Sequence, residues 1–243
     1  VIDDDALLEY FQRGLIPGPE ESEEAFLKRA SQAEPLSHSE WSGLPSLFGF
    51  AIDWVPISYS NHKIAWWEGA ATWISEDQLP SIQLRTNFQK GSFLGYSRSE
   101  VLSHEAIHAA RMRFEEPQFE EVLAYATAPQ PWKRFFGPLF SRTWEPFVLM
   151  LAVLLGAWWP VVPVLMIGLS LGWLIYRQWI FKRCCRKLSL PAVLCLTDVE
   201  MRKLAWMSDD QIQAYLGKKS TLLIRLRRLF SNRNRNRKGG GRL

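Results

Sequence analysis

Residues 97–128, SRSEVLSHEAIHAARMRFEEPQFEEVLAYATA, constrain this chain more than any other stretch, because they place His104-Glu105-Ala106-Ile107-His108 in a run with the marks of a helix. Ser97 and Glu100 form an S-x-x-E capping signal, and neither Gly nor Pro interrupts the sequence up to Phe114. On a helix, residues four apart stand one above the other, so both imidazoles can reach one metal ion. Glu105, adjacent to His104, is then placed to act as general base toward an attacking water rather than to ligate. Val101, Ala106, Ile107 and Ala110 supply a small or apolar packing surface, which a chance H-E-x-x-H on a structural helix would need equally.

A catalytic zinc site has three protein ligands and an open position, so a third ligand is expected downstream. Phe114 and Arg111 stand where the metzincin pattern requires His and Gly, which excludes that form. A short break at Glu115-Glu116-Pro117 follows instead, with Pro117 suited to the first turn of a new helix that carries Glu120 and Glu121. Here the sequence resembles the gluzincin metallopeptidases, in which a glutamate on the helix after the H-E-x-x-H helix completes the site, usually with a small residue three positions later. Glu121 with Ala124 fits that spacing; Glu120, with Leu123 at the same offset, fits less well. The short separation from His108 to Glu121 is most similar to the minigluzincins. The acidic residue that often follows the small one is replaced by Tyr125.

The resemblance implies Zn2+ held by His104, His108 and Glu121, Glu105 as base, and a peptide or protein substrate. It also implies an α+β fold: a minimal zincin-like domain with a small sheet, an active-site helix and a glutamate helix. Tyr125, one turn beyond Glu121, is a candidate for stabilising the tetrahedral intermediate, against the plainer reading of a core aromatic. Latency, with a terminal segment in the cleft, is a further implication.

Residues 63–74 and 81–86 have strand character just before the catalytic helix, and Lys90-Gly91 marks a turn between. The resemblance gives one of these strands, the first by preference, an open edge that pairs with extended substrate. His62 lies near that strand as an outlying candidate. Residues 35–130 thus form the expected catalytic domain, entered through a loop over 35–50 with aromatic anchors Trp41, Phe48 and Phe50. Before it, 1–34 reads as two acidic helices, at 3–13 and 20–33, with Ala25, Phe26 and Ala30 buried. They are expected as a docked pair, with a lid over the cleft as the alternative.

Residues 147–176 are 30 consecutive positions without a charge. A single span needs about 20 apolar residues, so this run is long for one helix and short for two. Pro160 and Pro163 in its middle suggest a transmembrane helical hairpin over 138–181, with arms at 139–158 and 161–181. Basic residues at both ends (Lys133, Arg134 and Arg142; Arg177, Lys182, Arg183, Arg186 and Lys187) place both ends, the catalytic domain and both termini in the cytoplasm. A re-entrant hairpin or one kinked span is the rival topology. Cys184, Cys185 and Cys195 are too few for a zinc site of their own and are expected as reduced thiols.

Charge divides the chain: residues 1–130 carry 9 Lys/Arg and 20 Asp/Glu, residues 131–243 carry 20 and 5. Helices are expected within 188–230, capped at Thr197 and Ser208 and stopped at Gly217, followed by a basic amphipathic segment at 220–230 and a disordered basic tail at 231–243. The tail's simplest partner is anionic lipid, nucleic acid being the weaker reading. Its attraction to the acidic half is a third possibility. The function that best fits is a membrane-anchored zinc metalloendopeptidase; the alternative is a catalytically silent zincin-fold scaffold or adaptor at the membrane.

Overall fold

The computed structural model describes residues 2–36, 47–65, 67–75, 79–140, 142, 144–217 and 221–239, with side chains described as far as Ser231. Trp41 lies outside these residues. The architecture is mixed α+β, with small sheets among many helices.

Two capped helices open the chain. In α1 (Asp4–Gln12) Asp3 accepts from Ala6 N, and in α2 (Glu23–Gln32) Ser22 accepts from Ala25 N. Leu7, Leu8, Phe11, Phe26 and Ala30 are buried, whereas Ala25 faces solvent. Arg29 is buried in its place, because its guanidinium is satisfied by both oxygens of Glu21 and by Ile16 O. The loop that follows is anchored by Phe48 and Phe50, both buried.

The main sheet has strands β1 (Ile57–Tyr59), β2 (Ala70–Ile74) and β3 (Pro80–Leu84), in the order β1-β3-β2. β1 runs parallel to β3 and β2 antiparallel to it, so β2 is an edge. Only the second half of the expected first strand forms, since Lys63 takes a left-handed φ of 60° and the chain turns there. A 3₁₀ turn, Thr86–Lys90, ends at Gly91 (φ 97°), and a two-residue hairpin, β4 (Ser92–Phe93) with β5 (Tyr96–Ser97), follows. Leu94 and Gly95 both have positive φ (47° and 77°), as a type I′ turn requires.

Helix α3 (Arg98–Ala110) carries the H-E-x-x-H and α4 (Pro117–Tyr125) carries Glu120 and Glu121. Ser97 caps α3, but the reciprocal half of the capping box is replaced: both Glu100 oxygens take Lys133 Nζ, at 2.9 and 3.0 Å, from α5 (Pro131–Phe136). Lys133, which the sequence assigns to a membrane flank, is therefore a buried partner of α3.

The apolar run forms α6 (Glu145–Leu155) and α7 (Val161–Lys187), which pack on each other across a five-residue link. The two arms are not equal. Among the described residues expected in the first arm, Leu139 ends a 3₁₀ turn, Phe140 is extended, and α6 begins only with Pro146 in its first turn. At 1.5 Å per residue the 11-residue α6 is about 17 Å long, short of a hydrocarbon core of about 30 Å. α7, with 27 residues, is the one described helix long and apolar enough to cross. Its second half is nevertheless part of the globule: Leu174, Arg177, Gln178, Ile180 and Cys184 are buried.

After α7 come α8 (Leu190–Leu194), α9 (Asp198–Trp206), α10 (Asp209–Gly217) and α11 (Leu222–Gly239). Thr197 and Glu200 form a full capping box, and Ser208 and Gln211 exchange the same two bonds. The backbone of α11 continues through 231–239, where disorder is expected from the sequence; Arg and Lys are good helix formers, and extending a formed helix is easier than starting one. Arg225 meets Asp4 of the acidic half at 2.7 Å, whereas Arg227 meets Glu200, within its own half, at 2.6 Å. The three cysteines are free thiols. One hydrophobic core runs from Leu7 and Phe26 through Leu84, Ile107 and Leu123 to Met201 and Leu226, joining the terminal helices to the segment that bears the motif.

Asp198, at the start of α9, takes the first free N–H groups of α4, from Gln118 (2.8 Å) and Phe119 (3.2 Å), while Glu116 takes Asp198 N. The glutamate helix is thus capped from 80 residues away. Asp198→Ala is expected to lower unfolding free energy by about 1–2 kcal/mol. Chemical denaturation of wild type and variant in detergent measures it; an unchanged midpoint would contradict this capping role.

Candidate metal centre

Helical spacing brings the two motif histidines together as expected: His104 Nε2 and His108 Nε2 are 3.1 Å apart. Glu121 closes the triangle, with Oε2 3.5 Å from His104 Nε2 and Oε1 3.5 Å from His108 Nε2. Two ligands about 2.05 Å from a tetrahedral ion lie about 3.3 Å from each other. The three atoms therefore fit one face of such an ion and leave the opposite corner free. Among the described residues, His104, His108 and Glu121 are the group that can hold a metal ion. His62 is exposed and outside it.

Glu105 projects beside this triangle and is buried; Thr72, on edge strand β2, donates to its Oε2 at 2.7 Å. Since Oε2 is engaged, Oε1 is the oxygen left to face the centre. The bond also ties the sheet edge to the helix, so the open side of β2 and the histidines border one cleft.

Glu120, the weaker ligand candidate, points away from the triangle. Its Oε1 is 3.3 Å from His108 Nδ1 and its Oε2 accepts from Arg111 Nε at 2.7 Å. A carboxylate at Nδ1 fixes the tautomer that leaves Nε2 free to ligate. Arg111 is buried and also donates to the carbonyls of Leu194 and Leu196. Arg177, from α7, donates to Gln118 O at 3.1 Å and to Pro138 O, bracing the start of the glutamate helix. Sequence reasoning missed these supports. The spacing to Ala124 favours Glu121 over Glu120 for the inward position, but nothing in it shows that Glu120 holds His108. Arg111, Arg177 and Asp198 are isolated polar residues whose burial only the packing reveals.

No protein-family model, curated protein or solved structure matches this chain.

Tyr125 packs its ring against His104, at 4.6 Å between centroids, and against the backbone of Gly137, where an added Cβ would lie 2.2 Å from the ring. Burial, with Tyr96 and Glu121 nearby, pushes its phenol above the ordinary range, so it remains a proton donor at neutral pH. Two cavities flank the triangle. One, of about 320 Å³, has walls from Phe88, Phe93, Val101 and Tyr125; the other, of about 630 Å³, is bordered by Thr72, Met112, Glu115 and Glu116. Among the described residues, none from the two N-terminal helices borders either cavity.

Charge within the triangle is offset by protons. Burial works against protonation of His108, but the bond to Glu120 and the charges of Glu121 and Glu105 prevail and raise it to about 10. Burial lifts Glu121 to about 7, and burial beside His108 holds His104 well below its ordinary value. A metal ion must displace whatever protons its ligands hold. His108 is protonated below about 10 and Glu121 below about 7, so metal affinity rises with pH and falls steeply under pH 7. Calorimetry in buffers of different ionisation enthalpy should register release of about one proton at pH 8 and a larger number at pH 6; equal affinity at both would contradict the assignment. Glu121→Ala is expected to abolish binding, whereas Glu120→Ala weakens it by about 10–100-fold by freeing His108 to rotate, as chelator competition can measure.

Proposed function

We propose that this chain is a zinc metalloendopeptidase of gluzincin type, anchored to a membrane by the α6–α7 hairpin. The observation that carries the reading is the joint geometry of a three-ligand face and a neighbouring carboxylate, Glu105, held by a sheet edge at 2.7 Å. A structural site would enclose its metal with four ligands. Here the free corner opens into the cleft between β2 and α4.

Zinc at this face would supply a Lewis acid that lowers the pKa of a water to about 7 and polarises a carbonyl. His104, His108 and Glu121 hold it, Glu120 orients His108, and Arg111 orients Glu120. Glu105 takes the proton of the attacking water on Oε1 and delivers it to the departing amine nitrogen, as the peptide C–N bond breaks and the new C–O bond forms. Thr72 keeps Oε2 turned away during both transfers. The open edge of β2 offers main-chain donors and acceptors to an extended peptide. The Tyr125 phenol, protonated and next to His104, is the donor available to an oxyanion on the scissile carbonyl.

The exposed apolar residues of α6 and of the first half of α7, among them Leu151, Leu154, Trp158, Val164, Leu165 and Leu169, support a lipid partner. Their reach is limited. The part of α7 ahead of its buried half, 161–173, extends about 20 Å, and α6 about 17 Å. These lengths support a hairpin that enters from one face and returns to it, in place of two full spans. Both ends would then share the side of the catalytic cleft, and the basic residues that follow the hairpin assign that side to the cytoplasm. Anionic lipid is the proposed partner of the basic residues beyond Ser231.

Glu105→Gln is expected to retain metal and lose about 10²–10⁴-fold in kcat/KM on peptide substrates. Undiminished turnover in that variant would remove Glu105 from the mechanism. Metal-loaded wild type that cleaves no peptide would favour a silent scaffold.

A further inference from the structure

The smaller cavity beside the triangle has a character that the proposed reaction does not require. Its walls are Ala70, Phe88, Phe93, Leu94, Tyr96 and Val101, drawn from β2, the 3₁₀ turn, the β4–β5 hairpin and α3. At about 320 Å³ it is roughly twice the size of the 150 Å³ apolar cavity known to take up benzene. A large aromatic or branched side chain fits it, and the carboxylates in its lining, Glu68, Glu100 and Glu105, each already accept a bond from the protein, from Ala65 N, Lys133 and Thr72. Its inner end meets His104 and Glu105, so a residue seated in it would present its main chain to the centre.

The outer end leads to lipid. Trp67 stands on the rim and packs edge-on against Phe147 of α6, with ring centroids 5.5 Å apart. Phe147 is in the first turn of the apolar hairpin, and around the hairpin's foot Trp132, Phe136 and Trp144 are all more than half exposed. Exposed tryptophans at the base of an apolar protrusion mark the depth of a membrane–water interface. The mouth of the cavity therefore lies at the lipid surface when the hairpin is inserted.

From this juxtaposition we infer that the cleft takes an extended peptide segment lying at the lipid surface, with a large apolar side chain seated between Phe88, Phe93 and Val101. The inference rests on the metallopeptidase reading for what happens to that segment, and on the cavity alone for its recognition. The substrate class is a protein segment that emerges from, or adheres to, a bilayer.

The test uses the full chain with Glu105→Gln, loaded with zinc in vesicles of phosphatidylcholine and phosphatidylglycerol. The probe is an N-palmitoylated peptide bearing a single benzoylphenylalanine. Photolysis is expected to crosslink it within residues 88–101. A palmitoylated Phe peptide should compete at a concentration at least tenfold lower than its Ala counterpart, and at least tenfold lower than the same Phe peptide without the acyl chain. Val101→Phe, which fills the cavity, should abolish the Phe preference with metal content unchanged. Leu94→Asn, at a left-handed position that Asn tolerates, is a second variant expected to weaken the preference without loss of folding.

Crosslinks confined to other segments, or equal competition by Phe, Ala and unacylated peptides, would overturn the inference. The wild-type chain separates it from the enzyme reading. Cleavage without preference refutes the inference and leaves the enzyme standing, whereas selective crosslinking without cleavage upholds the subsite and refutes the enzyme.

Discussion

Arg111 is a guanidinium at 1% exposure, and its burial dictates much of what surrounds it. A buried cation must find partners for its donors or it destabilises the fold by several kcal/mol. From the end of α3, Arg111 finds them through Nε and Nη1 on two other pieces of chain: it holds Glu120 on α4, and it donates to the carbonyls of Leu194 and Leu196 at the corner between α8 and α9. The other oxygen of Glu120 then sets His108. Asp198 caps α4 from the same corner, and Arg177 reaches the first turn of α4 from α7. The position of Glu121, and with it the metal face, depends on segments far beyond the motif.

This dependence changes the place of the apolar hairpin in the molecule. α7 is exposed and apolar in its first half and a core helix in its second, where Arg177 donates to Gln118 O on the helix that carries Glu121. Lys133 works in the same way, bound to Glu100 on the catalytic helix and lying 3.9 Å from the Tyr96 ring at the cavity wall. The division of charge along the chain also has a local explanation. Arg225 with Asp4 and Arg227 with Glu200 close the C-terminal helix onto acidic partners, so part of the basic excess is neutralised inside the fold.

The helix pair at the centre was legible because its determinants are local. A capping serine, an uninterrupted 13-residue run and Pro117 at a helix start need no tertiary information. The helices after Thr197 and Ser208 were readable for the same reason, whereas the edge position of the strand at 70–74 was implied only by the resemblance. What the sequence concealed depends on contacts between distant residues. Glu120 and Glu121 are adjacent carboxylates; the small residue three beyond Glu121 pointed to Glu121, but the partners that hold Glu120, Arg111 and His108 Nδ1, show only in the packing. The first hairpin arm was overestimated because hydropathy counts Leu139 and Phe140 as apolar, whereas Leu139, whose carbonyl accepts from Arg177, closes a 3₁₀ turn and Phe140 is extended. Arg29, Lys133 and Arg177 look like surface charges in composition and are core residues in fact, each satisfied by carbonyls or a carboxylate remote in sequence.

The central claim is that His104, His108 and Glu121 bind one metal ion and leave a position open. X-ray absorption at the zinc edge, on protein purified in detergent and loaded with one equivalent of zinc, tests it most directly. The account predicts a shell of nitrogen and oxygen neighbours at about 2.0–2.1 Å with the multiple-scattering signature of two imidazoles and no sulfur. A sulfur shell at about 2.3 Å, a single imidazole, or failure to retain zinc would contradict it.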